Sequence, residues 1–171
     1  MTLTVSCLVD FVGKPTSLVL KRREQMTIRE VTHSDFQQWF DLALQLWPDY
    51  ETEEMTDALT AILRSPIEAA FLLRKDDKQA IGFINLSLRY DYVPGATKRP
   101  VAYVEGVFVL ADFRQQGFGK MLIEHAEEWA RHQGCAELAS DVIQDNLASQ
   151  AFHKKVGFDE VDRVVSFIKS I

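Results

Sequence analysis

The sequence predicts a single mixed α/β domain, a sheet with helices on its faces, and three observations carry that prediction. Hydrophobic periodicity switches along the chain between helical spacing and short strand-like runs. From Met26 the segments follow in the order β-α-α-β-β-β-α-β-α-β, a layered arrangement. A chain of 171 residues, 47% of them hydrophobic, is long enough to bury one substantial core.

The first 25 residues read as an N-terminal extension and 26–171 as the domain. "MTLTVSCLVDFVGKPTSLVLKRREQ" lacks a basic start, and Asp10 and Lys14 interrupt its apolar stretches, so it does not read as a secretory signal. "MTIREV" from Met26 alternates as a first strand, and Thr32 or Ser34 then caps a helix with Asp35 in its first turn. Phe36, Trp39, Phe40, Ala43 and Leu46 or Trp47 fall at helical spacing until Pro48 ends the run. Glu53 to Arg64 gives a second helix. "AAFLLRK", "QAIGFINLSLRYDYV" and "VAYVEGVFVL" follow as three strands, the first two joined by "DDK", the last two by a "PGATKRP" loop. Lys120 to His132 is an amphipathic helix closed by Gly134. "CAELASDV" is a short strand, "NLASQAFHKKV" a helix, and "FDEVDRVVSFIKSI" one or two closing strands.

Nineteen basic against 25 acidic residues leave a formal charge of −6, which disfavours general affinity for nucleic acid or an anionic membrane. No run reaches the ~18 apolar residues of a membrane span. Cys7 and Cys135 form no CxxC pair and no His/Cys cluster at metal spacing. Incidental thiols in a reducing cytoplasm, with no metal, are the expectation.

The chemistry concentrates at "VFVLADFRQQGFG", residues 107–119. A buried strand, then Arg-x-x-Gly-x-Gly, then a helix is an anion-binding arrangement: helix N-termini present N–H groups and partial positive charge, and Gly117 and Gly119 let a ligand approach the backbone. The nicotinamide fingerprint is excluded by Leu122 where a third Gly is required. A P-loop is excluded by Arg114 and Met121. Two carboxylates stand out beside it. Glu105 lies within the apolar strand just upstream, and Asp141 ends the next strand; a charge in such a run has either a task or a basic partner.

"RQQGFG" after that strand, with Asn146, "SQAFHKKVGF" and the segment order, resembles the acetyl-CoA site of the GNAT superfamily of N-acetyltransferases over roughly Met26 to Ile168. "QLWPDY", "RYDYVPG", "YVEGVFV", "LASD", "DNLASQAFH" and "GFDEVDRVVSFIK" narrow the likeness to the aminoglycoside 6'-N-acetyltransferases. The resemblance implies a mostly antiparallel central sheet with splayed central strands, and acetyl-CoA as acyl donor. Loop amides of Gln115, Gln116, Gly117, Phe118, Gly119 and Lys120, with Arg114, would hold the CoA pyrophosphate. The backbone of Val107, Phe108 and Val109 would pair with pantetheine as an added strand, and Asn146, also a sound helix cap, would contact it.

Carried over to matching positions, Glu105 and Asp141 would meet substrate ammonium groups, with Glu105 the candidate base. Trp47 and Tyr92 would wall the sugar rings, and Asp162 would add negative charge. Trp47 at helical spacing also suits a core, and Tyr92 a loop anchor. His153 stands where many relatives place a tyrosine as general acid for the leaving thiolate. The implied enzyme acetylates an aminoglycoside 6'-amine by direct attack, confers drug resistance, and forms a homodimer. An acetyltransferase for a protein N-terminus, a lysine or a polyamine would share everything from Val107 to Gly119. A CoA-binding sensor without turnover also stays open.

Overall fold

The computed structural model describes residues 7–8, 26–75 and 79–171. The turn expected at 76–78 lies outside them, as does the 1–25 extension apart from Cys7–Leu8, which form strand β1. Then come β2 (Thr27–Glu30), a 3-10 turn (His33–Asp35), α1 (Phe36–Leu46), α2 (Thr52–Arg64), β3 (Glu68–Arg74), β4 (Ala80–Arg89), β5 (Val101–Val109), a 3-10 turn (Ala111–Phe113), α3 (Phe118–His132), β6 (Leu138–Ser140) and α4 (Leu147–Lys155). The mixed α/β expectation is met: β2, β3, β4 and β5 are antiparallel neighbours, and β5 pairs in parallel with β6.

The partners of β5 divide along its length. β6 pairs only with Ala102, Tyr103 and Val104. Beyond that point the two strands part, and the edge at Val107 and Phe108 pairs instead with Cys7 and Leu8 of β1. This parting is the splay that the resemblance implies.

Both sheet faces are covered, so β3, β4 and β5 are buried along almost their whole length and read as near-continuous apolar runs. On one face Trp39, Leu42, Leu46, Trp47, Met55 and Leu59 from the α1–α2 side pack on Leu72, Phe83 and Phe108. On the other, Leu122, Ile123 and Ala126 of α3 and Phe152 of α4 pack on Leu73, Ile84, Leu86, Val104 and Val107.

The last segment departs from expectation. No element follows Lys155, so the closing strands expected from Phe158 onward are not formed. A strand needs a partner edge to satisfy its backbone. The tail instead turns back over the loop after β4, where Val161 lies against Gly95. Its apolar side chains face outward, with Val164 70%, Val165 72% and Phe167 92% exposed.

Two features of this packing can be tested by stability. A Cβ at Gly106 would fall 2.6 Å from two carbons of the Trp47 indole. Gly106→Ala is therefore expected to overpack the site and cost about 1–3 kcal/mol, read as a lower denaturation midpoint at unchanged m-value; a wild-type midpoint would show that the indole yields freely. His125 packs edge-on to Phe71, ring centroids 4.5 Å apart, and burial holds its imidazole below the ordinary value against a smaller opposing pull from Glu128. Unfolding thus takes up a proton, so its contribution to stability is full above pH ~6.5 and falls as pH drops through that value. His125→Leu is expected to flatten part of the loss of melting temperature between pH 7 and 5, and an unchanged slope would contradict this.

Candidate active site

The site is built on an irregularity in the pairing of β4 with β5. Asn85 lies opposite Gly106 and Leu86 opposite Val104, which leaves Glu105 as an extra residue: a β-bulge. In a regular strand residues 105, 107 and 109 would share a face. The bulge breaks that parity. Val107 and Val109 keep to the α3 face, while Glu105 joins Ser87 and Arg89 on the other.

There Glu105, 8% exposed, is surrounded by donors. Ser87 donates its hydroxyl to Oε1 at 2.5 Å. Arg89 donates from Nε and an η-nitrogen to Oε1 at 3.1 and 2.9 Å, and from that η-nitrogen to Oε2 at 2.9 Å. The basic partner that a buried carboxylate calls for is thus present, and among the described residues Oε2 accepts from the Arg89 η-nitrogen alone.

Arg89 also lies flat on Tyr103, its Cζ 3.3 Å from the ring centroid. The Tyr103 hydroxyl donates to Asp141 Oδ1 at 2.5 Å, and burial, reinforced by this bond to a carboxylate, pushes the phenol well up. His153 Nδ1 donates to the Ser149 carbonyl at 2.8 Å, since a carbonyl can only accept. In the neutral ring Nε2 is then the acceptor for the Ser140 hydroxyl, 2.9 Å away. Burial is the main cause that holds this imidazole below its ordinary value, which favours that neutral form.

Tyr103, Ser140, Asp141 and His153 line one wall of a cavity of about 360 Å³. Asp159, Glu160 and Asp162 of the tail line another, with Lys154 and Arg163 as the basic residues. Asp162 is exposed and accepts from the Arg163 N–H. Tyr103 stands between this cavity and Glu105, which does not line it.

At the far end of β5 the chain enters α3 through a strained loop. Gln115 has φ 59° and Gly117 φ 84°, left-handed values that are uncommon for glutamine and easy for glycine. Gly117 is the N-cap and brings no side-chain cap, so the first turn, Phe118-Gly119-Lys120, offers main-chain donors that have no intrahelical acceptor. Arg114 turns back: its Nε donates to the Val109 carbonyl at 2.8 Å, tying loop to strand. Lys120 pairs with exposed Glu124 at 3.3 Å. Val107, Phe108 and Val109 bury their side chains and present backbone along the splay. Asn146 caps α4, its Oδ1 accepting from the Ser149 N–H at 3.0 Å.

Two further expected residues lie apart from the cavity. Trp47 is 5% exposed and packs on Phe83 and under Gly106, directly behind the bulge, as a core residue. Tyr92 is 76% exposed on the loop after β4. Conversely, Ser87, Arg89 and Tyr103 were not anticipated. Their signal is the alternation of Ser87 and Arg89 in "NLSLR", but only the strand register places them beside Glu105.

The sequence profile of the Acetyltransferase (GNAT) family matches residues 35–158. The chain is 40% identical to aminoglycoside N(6')-acetyltransferase type 1 of Serratia marcescens, over 81% of this chain and 95% of that one. It is 39% identical to the protein of that name from Acinetobacter baumannii, over 85% and 99%. Among solved structures, AAC(6')-Iy in complex with the bisubstrate analog CoA-S-monomethyl-acetylneamine superposes with a TM-score of 0.81 at 38% identity, covering 85% of this chain and 99% of that one. The aminoglycoside 6'-N-acetyltransferase AAC(6')-Ih from Acinetobacter baumannii gives 0.79 at 37%, with the same coverage. A splayed sheet, a strained loop entering a helix and a match over most of the domain agree, and the chain belongs to the GNAT family of acetyltransferases.

Proposed function

We propose that the protein transfers the acetyl group of acetyl-CoA to the 6'-amine of aminoglycosides. The observation that carries this reading is the placement of two carboxylates, Glu105 at the bulge and Asp141 on the acidic cavity, beside a strand edge suited to an acyl donor. Relatives named aminoglycoside N(6')-acetyltransferase type 1, matched over nearly their whole length, support it.

The residues divide the work by position. Amides from Gln115 to Lys120 hold the pyrophosphate, and Arg114 keeps that loop against β5. Val107, Phe108 and Val109 offer their backbone to the pantetheine arm, with Asn146 beside it. Cofactor entry therefore requires Cys7–Leu8 to leave the same edge. Oε2 of Glu105 accepts the amine proton, directly or through water. Asp141 and Asp162 meet further ammonium groups. Tyr92 covers the sugar rings from its loop, and Trp47 fixes the bulge from behind.

His153 already commits its ring proton to a carbonyl. We assign it to holding Ser140, and leave protonation of the departing thiolate, whose thiol has an ordinary pKa of about 8.5, to solvent. No acyl-enzyme is invoked: Cys135 is buried, and burial pushes its thiol up. Acetylation removes a positive charge from the drug, the basis for a role in resistance. A cytoplasmic location matches the supply of acetyl-CoA. Among the described residues no helix is long and apolar enough to cross a membrane, and no group of three or more His, Cys, Asp or Glu could hold a metal ion. The exposed Val164, Val165 and Phe167 support a homodimer in which a second copy covers the tail.

The test is thiol release from acetyl-CoA with tobramycin, spermidine and an N-terminal peptide as acceptors. Turnover with tobramycin, yielding the 6'-N-acetyl product, is expected. Glu105→Gln and Asp141→Asn should each lower kcat/KM for tobramycin by about 10²-fold, while acetyl-CoA affinity stays near wild-type. No turnover with any aminoglycoside bearing a free 6'-amine would sink the proposal.

A further inference from the structure

Arg89 ends β4 and, together with Tyr103, links the two acidic elements of the site. Its guanidinium edge forks the carboxylate of Glu105. Its face lies on Tyr103, whose hydroxyl holds Asp141. One planar cation thus touches a chain of groups that runs from Ser87 to β6.

The arrangement is poorly explained as a stability device. A partly buried ion pair recovers little more than the cost of desolvating its charges. It is also poorly explained as electrostatic attraction, because a cation beside Glu105 weakens the field that would draw a polycation. What it does supply is geometry. Of the contacts on Glu105, Oε1 receives Ser87, Arg89 Nε and an Arg89 η-nitrogen, whereas Oε2 receives only that η-nitrogen. The carboxylate is therefore held with one chosen oxygen toward an incoming group. The stacked ring in turn fixes the hydroxyl that orients Asp141, on the neighbouring strand.

We propose that Arg89 is a positioning residue for acceptor recognition. It fixes the orientation of Glu105 directly and that of Asp141 through Tyr103, so that two ammonium groups of one acceptor meet carboxylates at a set spacing. This rests on the acceptor class proposed above. Lysine cannot substitute, since an ammonium has neither the fork nor the plane.

The test compares the wild type with Arg89→Lys, Tyr103→Phe and Asp141→Asn, singly and combined, using tobramycin and acetyl-CoA. Arg89→Lys is expected to raise the KM for tobramycin roughly tenfold or more, about 1.4 kcal/mol, with the Kd for acetyl-CoA within about twofold. The Arg89→Lys and Asp141→Asn effects should be non-additive, the double variant losing less than the product of the single losses, although the two side chains are joined only through Tyr103. Should Arg89→Lys fail to fold, Tyr103→Phe decides: it keeps the ring under Arg89, and should raise the tobramycin KM non-additively with Asp141→Asn. A wild type inert toward tobramycin removes the acceptor reading and this inference with it. An active wild type whose variants keep a wild-type tobramycin KM, or lose it additively with Asp141→Asn, overturns the positioning role alone.

Discussion

The bulge at Glu105 sets which way the side chains of β5 face on either side of it. A strand alternates, so residues 105, 107 and 109 would otherwise face one way. One extra residue opposite the Asn85–Leu86 step lets Glu105 and Tyr103 face Arg89 while Val107 and Val109 anchor in the core under α3. Gly106 belongs to the same constraint, because the Trp47 indole fills the space a side chain would need there. β6 pairs no further than Val104, so the edge of β5 beyond it pairs only with Cys7–Leu8 among the described residues, and it is this edge that is proposed for the acyl donor. The two halves of β5 thus present opposite parities on either side of Glu105.

The electrostatics follow from where that bulge leaves the carboxylate. Glu105 is buried enough to need compensation, and receives it from a guanidinium rather than from solvent. Asp141, at a strand end, remains exposed and accepts a hydrogen bond from a buried tyrosine. The two acids thus differ: one is rigid and fully partnered on one oxygen, the other open to a cavity that already carries Asp159, Glu160 and Asp162. The proposed polycationic acceptor would meet fixed geometry at Glu105 and a more solvated negative surface around it.

Much of this was legible in the sequence, for identifiable reasons. The helices announced themselves through Trp39, Ala43 and Leu46 or through Leu122 and Ala126, because amphipathic spacing is local information. The Arg114–Gly119 run marked a tight loop into a helix for the same reason, and Gln115 and Gly117 take left-handed values there. Glu105 and Asp141 were visible as charges in apolar runs. Arg89 and Tyr103 were not, since their importance depends on strand register, which no local pattern encodes. Trp47 has helical spacing whether it packs in a core or lines a site, and only the bulge shows it beneath Gly106. The closing strand failed for a related reason: alternation in "VDRVVSFIK" is a necessary condition for a strand, but a partner edge is a property of the fold.

The proposed chemistry depends most directly on the position of the acceptor amine relative to Glu105. A crystal structure of the protein with CoA and tobramycin measures it. The 6'-amine is predicted within hydrogen-bond distance of Glu105 Oε2, on the side of β5 where the pantetheine arm runs along Val107 to Val109, with the Arg89 fork on Glu105 intact. An amine held elsewhere, or an Arg89 swung away to give up both oxygens of Glu105, would contradict it.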